Sequence, residues 1–411
     1  MNQKYIYTTI VSLLGLLLVV GGVWFFFFRS STPAQTNTSG NLFNTPADTT
    51  GGTGNATEPS NTTQTINTSG QTLQKKIFQI SPGPVVGATF IQTLRPTTTL
   101  ARYIKQEDGH VFDLPLDVPG AVPRVVSNVT IPGGARAIWV EGGSAAVMQY
   151  LDDAVVKSVY LGFPAATSSS KTLPTRIQFL PDAIVDIAAS PDGKSVAYLL
   201  KTSAGVDGYT AKADGTGSKK IFSLPLSQML ISWPSPGNLL IQTKSAVGVP
   251  GIVFSIDAKS RAVTPLVYST GISAIADRTF SHVFYQADSG NLLKSYSHDV
   301  KTGNNVAIAF SLFPEKCAWG IGTTTLYCAA PYTITATPSF IDLWHAGAAS
   351  IPDFIYRFSQ TNNKSSLIAA PGTSDGGDQS DILEMALSPD EHYLSFTTKG
   401  SRALWGVRLS P

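Results

Sequence analysis

The sequence predicts an all-β chain organised as a β-propeller of seven four-stranded blades, reached through one transmembrane helix and a disordered linker. Three observations carry this expectation. Short alternating apolar runs broken by Gly, Pro, Asn and Asp recur from residue 75 onward, with no sustained period of 3.6. Equivalent strand ends recur at Trp139, Ala189, Trp233, Ala276, Trp319 and Leu387, with spacings of 50, 44, 43, 43 and 68. Four strands and their turns need about 40–50 residues, the size of one blade. Finally, the first strand after the linker resembles an outer strand in the middle of the chain.

The first 30 residues read as an anchor. Ile6 to Phe28 is a charge-free run of 23 residues flanked by Lys4 and Arg29. As a helix it would span about 35 Å, against a hydrocarbon core of about 30 Å. A cleaved signal peptide is the alternative. Its apolar region is usually shorter, and no small-x-small site follows the four phenylalanines. Residues 31–74 are rich in Thr, Asn, Ser and Gly, with only Asp48 and Glu58 charged. Such a segment buries too little apolar surface to offset its ordering entropy. It is expected to act as a tether with a span of roughly 35–40 Å. Asn37, Asn55, Asn61 and Asn67 begin Asn-x-Ser/Thr triplets, which so Asn- and Thr-rich a stretch also produces by chance. The order of anchor, neutral stalk and low-charge domain places residues 75–411 on the extracytoplasmic side of a cell membrane as a single-pass protein.

Within residues 75–411 one blade is expected to begin near Val85, the second to hold Ala137-Ile138-Trp139-Val140, and the others to begin at Ile184, Met229 and Ile272, near Lys316 and at Ile382. The last unit has only three strands before the chain ends. Lys75-Lys76-Ile77-Phe78-Gln79-Ile80 resembles Lys219-Lys220-Ile221-Phe222-Ser223-Leu224. The N-terminal strand is therefore expected to complete the last blade and close the ring. Six or eight blades are the alternatives, because the first two units are faint.

The turns carry a resemblance. Ala189-Ser190-Pro191-Asp192-Gly193-Lys194 and Leu387-Ser388-Pro389-Asp390-Glu391-His392 lie between the first two strands of their units, and Trp233-Pro234-Ser235-Pro236-Gly237-Asn238 is a degenerate version. These resemble the W-S-P-D-G-K turns of TolB-type, WD-repeat-like (PD-repeat) bacterial propellers. Pro presets φ, Asp bonds the backbone two residues on, and Gly supplies a positive φ. The resemblance covers roughly residues 181–411 and implies the fold. Propellers of this kind include binding platforms, parts of periplasmic machinery and some enzymes.

Charged residues make up 14% of the chain and the formal net charge is +2. Nothing there calls for nucleic acid, which usually requires a clustered basic face. No residue is assigned a catalytic or cofactor-binding role, and no cofactor is expected. Gly372-Thr373-Ser374-Asp375-Gly376 fits the G-x-S-x-G pattern but lacks the strand, helix and hydrolase sheet that make it a nucleophile elbow. Asp375, Asp378 and Asp381 fall three apart in one loop and are weak candidates for a cation site, without EF-hand spacing. His110, His282, His298, His345 and His392 read as surface or turn residues, and Asp192 and Asp390 as turn formers.

Cys317 and Cys328 flank a hairpin whose loop is Gly322-Thr323. Folding there pairs residues whose numbers sum to 645, which sets the cysteines opposite each other, within reach of a disulfide. Two reduced core residues are the alternative. The loop 331–353 is longer than a hairpin needs and holds Phe340, Trp344 and His345, the candidates for a partner-binding surface. The alternative is that these side chains only pack over the channel. The expected function is a non-enzymatic, membrane-tethered binding platform for protein or ligand at the cell envelope. The alternative is a propeller enzyme (a lyase, a cyclase or a quinoprotein-like dehydrogenase) working at the channel mouth.

Overall fold

The second strand of each unit is pressed between neighbouring blades, and its sequence answers to that. Tyr393–Thr398 is buried along its whole length and Ser195–Lys201 through its middle four residues. A strand covered on both faces loses the alternation of a half-exposed one. Outer strands keep more exposed positions, as in Lys219–Leu224, where only Ile221 and Phe222 are buried. The computed structural model describes residues 75–409, apart from 95–96, 164–175, 290–291, 310, 312, 323 and 332–339.

Seven antiparallel four-stranded sheets form among the described residues. Their innermost strands are Val85–Leu94, Gly134–Val140, Ile184–Ala189, Met229–Ser235, Ser273–Ala276, Cys317–Trp319 and Ile382–Leu387, here the a strands of blades 1 to 7. Strands b, c and d follow outward in each blade. The expected starts at Ile184, Met229 and Ile382 coincide with these, and those at Ile272 and Lys316 fall one residue early. Blade 7 takes its d strand, Ile77–Ser81, from the other end of the chain, paired with Leu404–Arg408. The ring is closed as the Lys-Lys-Ile-Phe repeat anticipates.

The repeat goes deeper than those four residues. Phe222 lies opposite Gly208, and Phe78 lies opposite Gly406. A Cβ on Gly208 would sit 2.2 Å from the Phe222 ring, and one on Gly406 2.5 Å from that of Phe78. In both blades an outer-strand phenylalanine covers a glycine of strand c, an aromatic–glycine pairing that restores the packing glycine lacks.

Apolar clusters link each blade to the next. Val140, Val147 and Tyr160 of blade 2 pack with Ile184, Ile187 and Tyr198 of blade 3. The seam that closes the ring joins Ile80, Tyr393 and Leu404 of blade 7 to Val85, Phe90 and Tyr103 of blade 1. The a–b turns behave as their composition requires. Ser190 donates its hydroxyl to Asp192 at 2.6 Å, and the Lys194 N–H donates to the same carboxylate at 3.0 Å. Asp390 repeats this with Ser388 and the His392 N–H.

The G-x-S-x-G segment also has a structural task. The Ile77 N–H donates to the Asp375 carbonyl at 2.8 Å, and a Cβ on Gly376 would come within 2.7 Å of the Ile77 carbonyl. Gly376 further adopts φ +97, in the region that favours glycine. The loop is a latch over the closing strand, with Ser374 exposed. Among the described residues no helix is long and apolar enough to cross a membrane. The run Ile6 to Phe28 and the segment 31–74 lie outside the described residues.

Candidate functional site

Connections between strands b and c, and between one blade's d and the next blade's a, emerge on one face of the ring. On that face the 331–353 insertion forms a helix, α1 (Phe340–His345). Six residues are too few to display a helical period, so the sequence reads only as an aromatic loop. Its anchors lie on both sides. The Val247 N–H, in the b–c loop of blade 4, donates to Asp342 at 3.0 Å. Lys399, at the end of strand b in blade 7, donates to the carbonyls of Trp344 and Ala349, the latter at 2.8 Å. Phe313, Leu293 and Ile341 form an apolar cluster beneath it.

Trp344 faces inward and is 4% exposed, which removes it from the candidate partner surface. Its indole N–H donates to Asp381 at 2.8 Å, its ring tilts against Phe313 at 5.2 Å, and the Lys399 ammonium lies 4.3 Å from its centroid. The reason is chemical. A large apolar ring with one polar edge fits a buried site that offers a carboxylate acceptor and two cations. Phe340 is half-buried against Phe313. His345 turns its side chain to Glu315, with Nε2 3.4 Å away and the ring only 25% exposed.

Under α1 lies a charged cluster. Lys316 is fully buried, with Nζ 2.6 Å from Asp353 and 2.5 Å from Asp381. Its contact with Asp381 Oδ1 is an ion pair. Asp353 also accepts the Ile382 N–H at 2.8 Å, tying blade 6 to the first strand of blade 7. Burial pushes the Asp353 carboxyl up to about 6, against the pull of Lys316. Burial lowers Lys399, with Asp381 opposing it. At Glu315 burial acts upward, but hydrogen bonds from His345 and Ser273 outweigh it and hold the carboxyl below its usual value. With its charges matched inside the fold, the cluster is an electrostatic clamp that fixes α1.

The three candidate cation ligands do not converge. Asp381 belongs to the clamp, Asp375 caps the Ala370 N–H within the latch, and Asp378 is exposed. Among the described residues no group of three or more His, Cys, Asp or Glu side chains is arranged to hold a metal. Cys317 and Cys328 stand opposite each other in the expected register and are disulfide-bonded, with Cα atoms 4.1 Å apart. His298 departs from its expected place. It is 5% exposed, with Nδ1 3.0 Å from Asn305.

The seven sheets define a seven-bladed β-propeller. No family model matches the chain, and no curated protein does. Among solved structures it is similar to an oligogalacturonate lyase in complex with manganese, with TM-score 0.51, 11% identity, and coverage of 82% of this chain and 98% of that one. The tricorn protease gives TM-score 0.50 at 9% identity, covering 82% of this chain and 34% of that one. TolB from Acinetobacter baumannii gives TM-score 0.43 at 10% identity and covers 69% of this chain. The chain spans 62% of that TolB chain. At such identities the likeness is one of fold.

Proposed function

We propose that the chain is a membrane-tethered propeller that presents a binding platform outside the cytoplasm. The observation that carries this reading is α1. The fold does not require the insertion, yet a buried ion cluster and contacts from blades 4 and 7 hold it rigidly. Leu343, 43% exposed, is left on its outer side. Rigid presentation lowers the ordering cost of binding. The bridged cysteine pair supports an oxidising compartment. Ile6 to Phe28 supplies the anchor and residues 31–74 the reach. The binding partner is expected to be a protein of the same envelope, and the reading is non-enzymatic.

The test is recovery of partners from detergent-solubilised membranes with the full-length chain and with Leu343→Asp. The variant is expected to lose at least one specific partner while its melting temperature stays unchanged, since Leu343 is not part of the core. An unchanged partner profile would count against α1 as the binding surface.

A further inference from the structure

On the face opposite α1, where the a–b and c–d turns emerge, a cleft of about 350 Å³ opens between blades 5 and 6. That is within the range of small-molecule sites. Asp299, at the end of strand c of blade 5 (Leu292–Asp299), supplies one wall, and His282, at the start of strand b (His282–Ser289), lies beside it. Gln360 and Asn363, in the c–d turn of blade 6, supply the other wall. Gln360 Nε2 donates across the blades to Ser297 Oγ at 3.1 Å and fixes the base.

The polar groups are set for a donor. His282 Nδ1 lies 3.2 Å from the fully buried carboxylate of Asp277, which also accepts the His282 N–H. That contact leaves Nε2 as the ring nitrogen nearer Asp299. Asp299 Oδ1 accepts from the Thr302 N–H and hydroxyl, and these bonds hold the carboxyl below its usual value. Asp299 Oδ2 stands 3.9 Å from His282 Nε2. One nitrogen or oxygen at about 2.8 Å can reach both atoms. No Lys or Arg lines the cleft. Around it the hydroxyl of Ser297 and the amides of Asn304 and Asn363 can both donate and accept, as a polyol requires. Val306, 59% exposed, offers an apolar face beside them.

We propose that this cleft binds an amino sugar. Its ammonium sits between Asp299 and His282, its hydroxyls meet the amides, and a C–H face of the ring lies on Val306. The clamp under α1 and the binding face described above take no part in this site.

The test is calorimetric titration of the full-length chain in detergent with D-glucosamine, D-glucose and n-propylamine. Glucosamine is expected to bind at least tenfold more tightly than either control, because it alone carries both the ammonium and the hydroxyls. Asp299→Asn keeps an acceptor for Thr302 while removing the charge, and should weaken glucosamine at least tenfold. Asn363 has φ +54, a conformation glycine adopts freely. Asn363→Gly should therefore weaken glucosamine at least threefold with the turn intact, and it decides the matter if Asp299→Asn fails to fold. Binding of propylamine equal to that of glucosamine would overturn the sugar assignment. Binding of glucose equal to that of glucosamine would overturn the ammonium site. Wild-type affinity in both variants would overturn the cleft itself.

Discussion

Lys316 is the residue on which the insertion face depends. A fully buried ammonium is tolerated only with its charge matched, and here Asp353 and Asp381 match it at 2.6 and 2.5 Å. Trp344→Ala would remove a buried ring and leave Asp381 without its indole donor, so stability is expected to fall by about 3–5 kcal/mol in chemical denaturation. A change under about 1 kcal/mol would mean that Trp344 is not the anchor of α1. Asp353 makes a second prediction. Its folded pKa of about 6 lies above the ordinary value, so its protonated form is favoured in the fold. That contribution is fully present below about pH 4 and is lost as pH rises through about 6. It amounts to roughly 2–3 kcal/mol at 1.36 kcal/mol per pKa unit. The difference in denaturation free energy between wild type and Asp353→Asn should therefore shift against the wild type from pH 4 to pH 7. A difference that stays constant over that window would show Asp353 to be unperturbed. None of this is legible in the sequence. In the sequence Lys316 marks only the start of a blade, and its partners lie 37 and 65 residues away, joined to it only by the blade geometry.

The strand Ile77–Ser81 is the element that makes the propeller a ring. Ile77 and Ile80 are buried in the two seams that flank blade 7, and the latch bonds Asp375 and Arg408 make to residues 75–77 hold its start. A chain beginning at Gln71 should melt close to the full-length protein. One beginning at Pro84 should melt far lower or fail to fold, with strand c of blade 7 left as an open edge and Gly406 uncovered. Equal melting temperatures would refute closure by this strand. This element was legible because Lys-Lys-Ile-Phe occurs twice and the last unit lacks a strand. The matching glycines, Gly208 and Gly406, were equally visible, but their meaning depends on register. The hairpin of Cys317 and Cys328 could be read by arithmetic because its loop is short. By contrast α1 could not, since its six residues are aromatic without period. His282 and Asp299 gave no signal as a pair either. A turn histidine and a strand-end aspartate become neighbours only when strands b and c of blade 5 lie side by side.

At the scale of the whole molecule, the proposed tether and the closing strand are consecutive in the chain, so any pull on the stalk would act on the outer edge of blade 7. The two faces of the ring then have separate tasks: one carries α1 on its charged clamp, the other the cleft between blades 5 and 6. The α1 platform as proposed requires the ring to stand outside the cytoplasm, held by Ile6 to Phe28. The most direct measurement is protease treatment of intact cells, followed by N-terminal mapping of what is released. The account predicts a soluble, folded fragment cut within residues 31–74 and carrying the Cys317–Cys328 bridge. Complete protection until the cells are lysed would place the propeller inside the cytoplasm and contradict it.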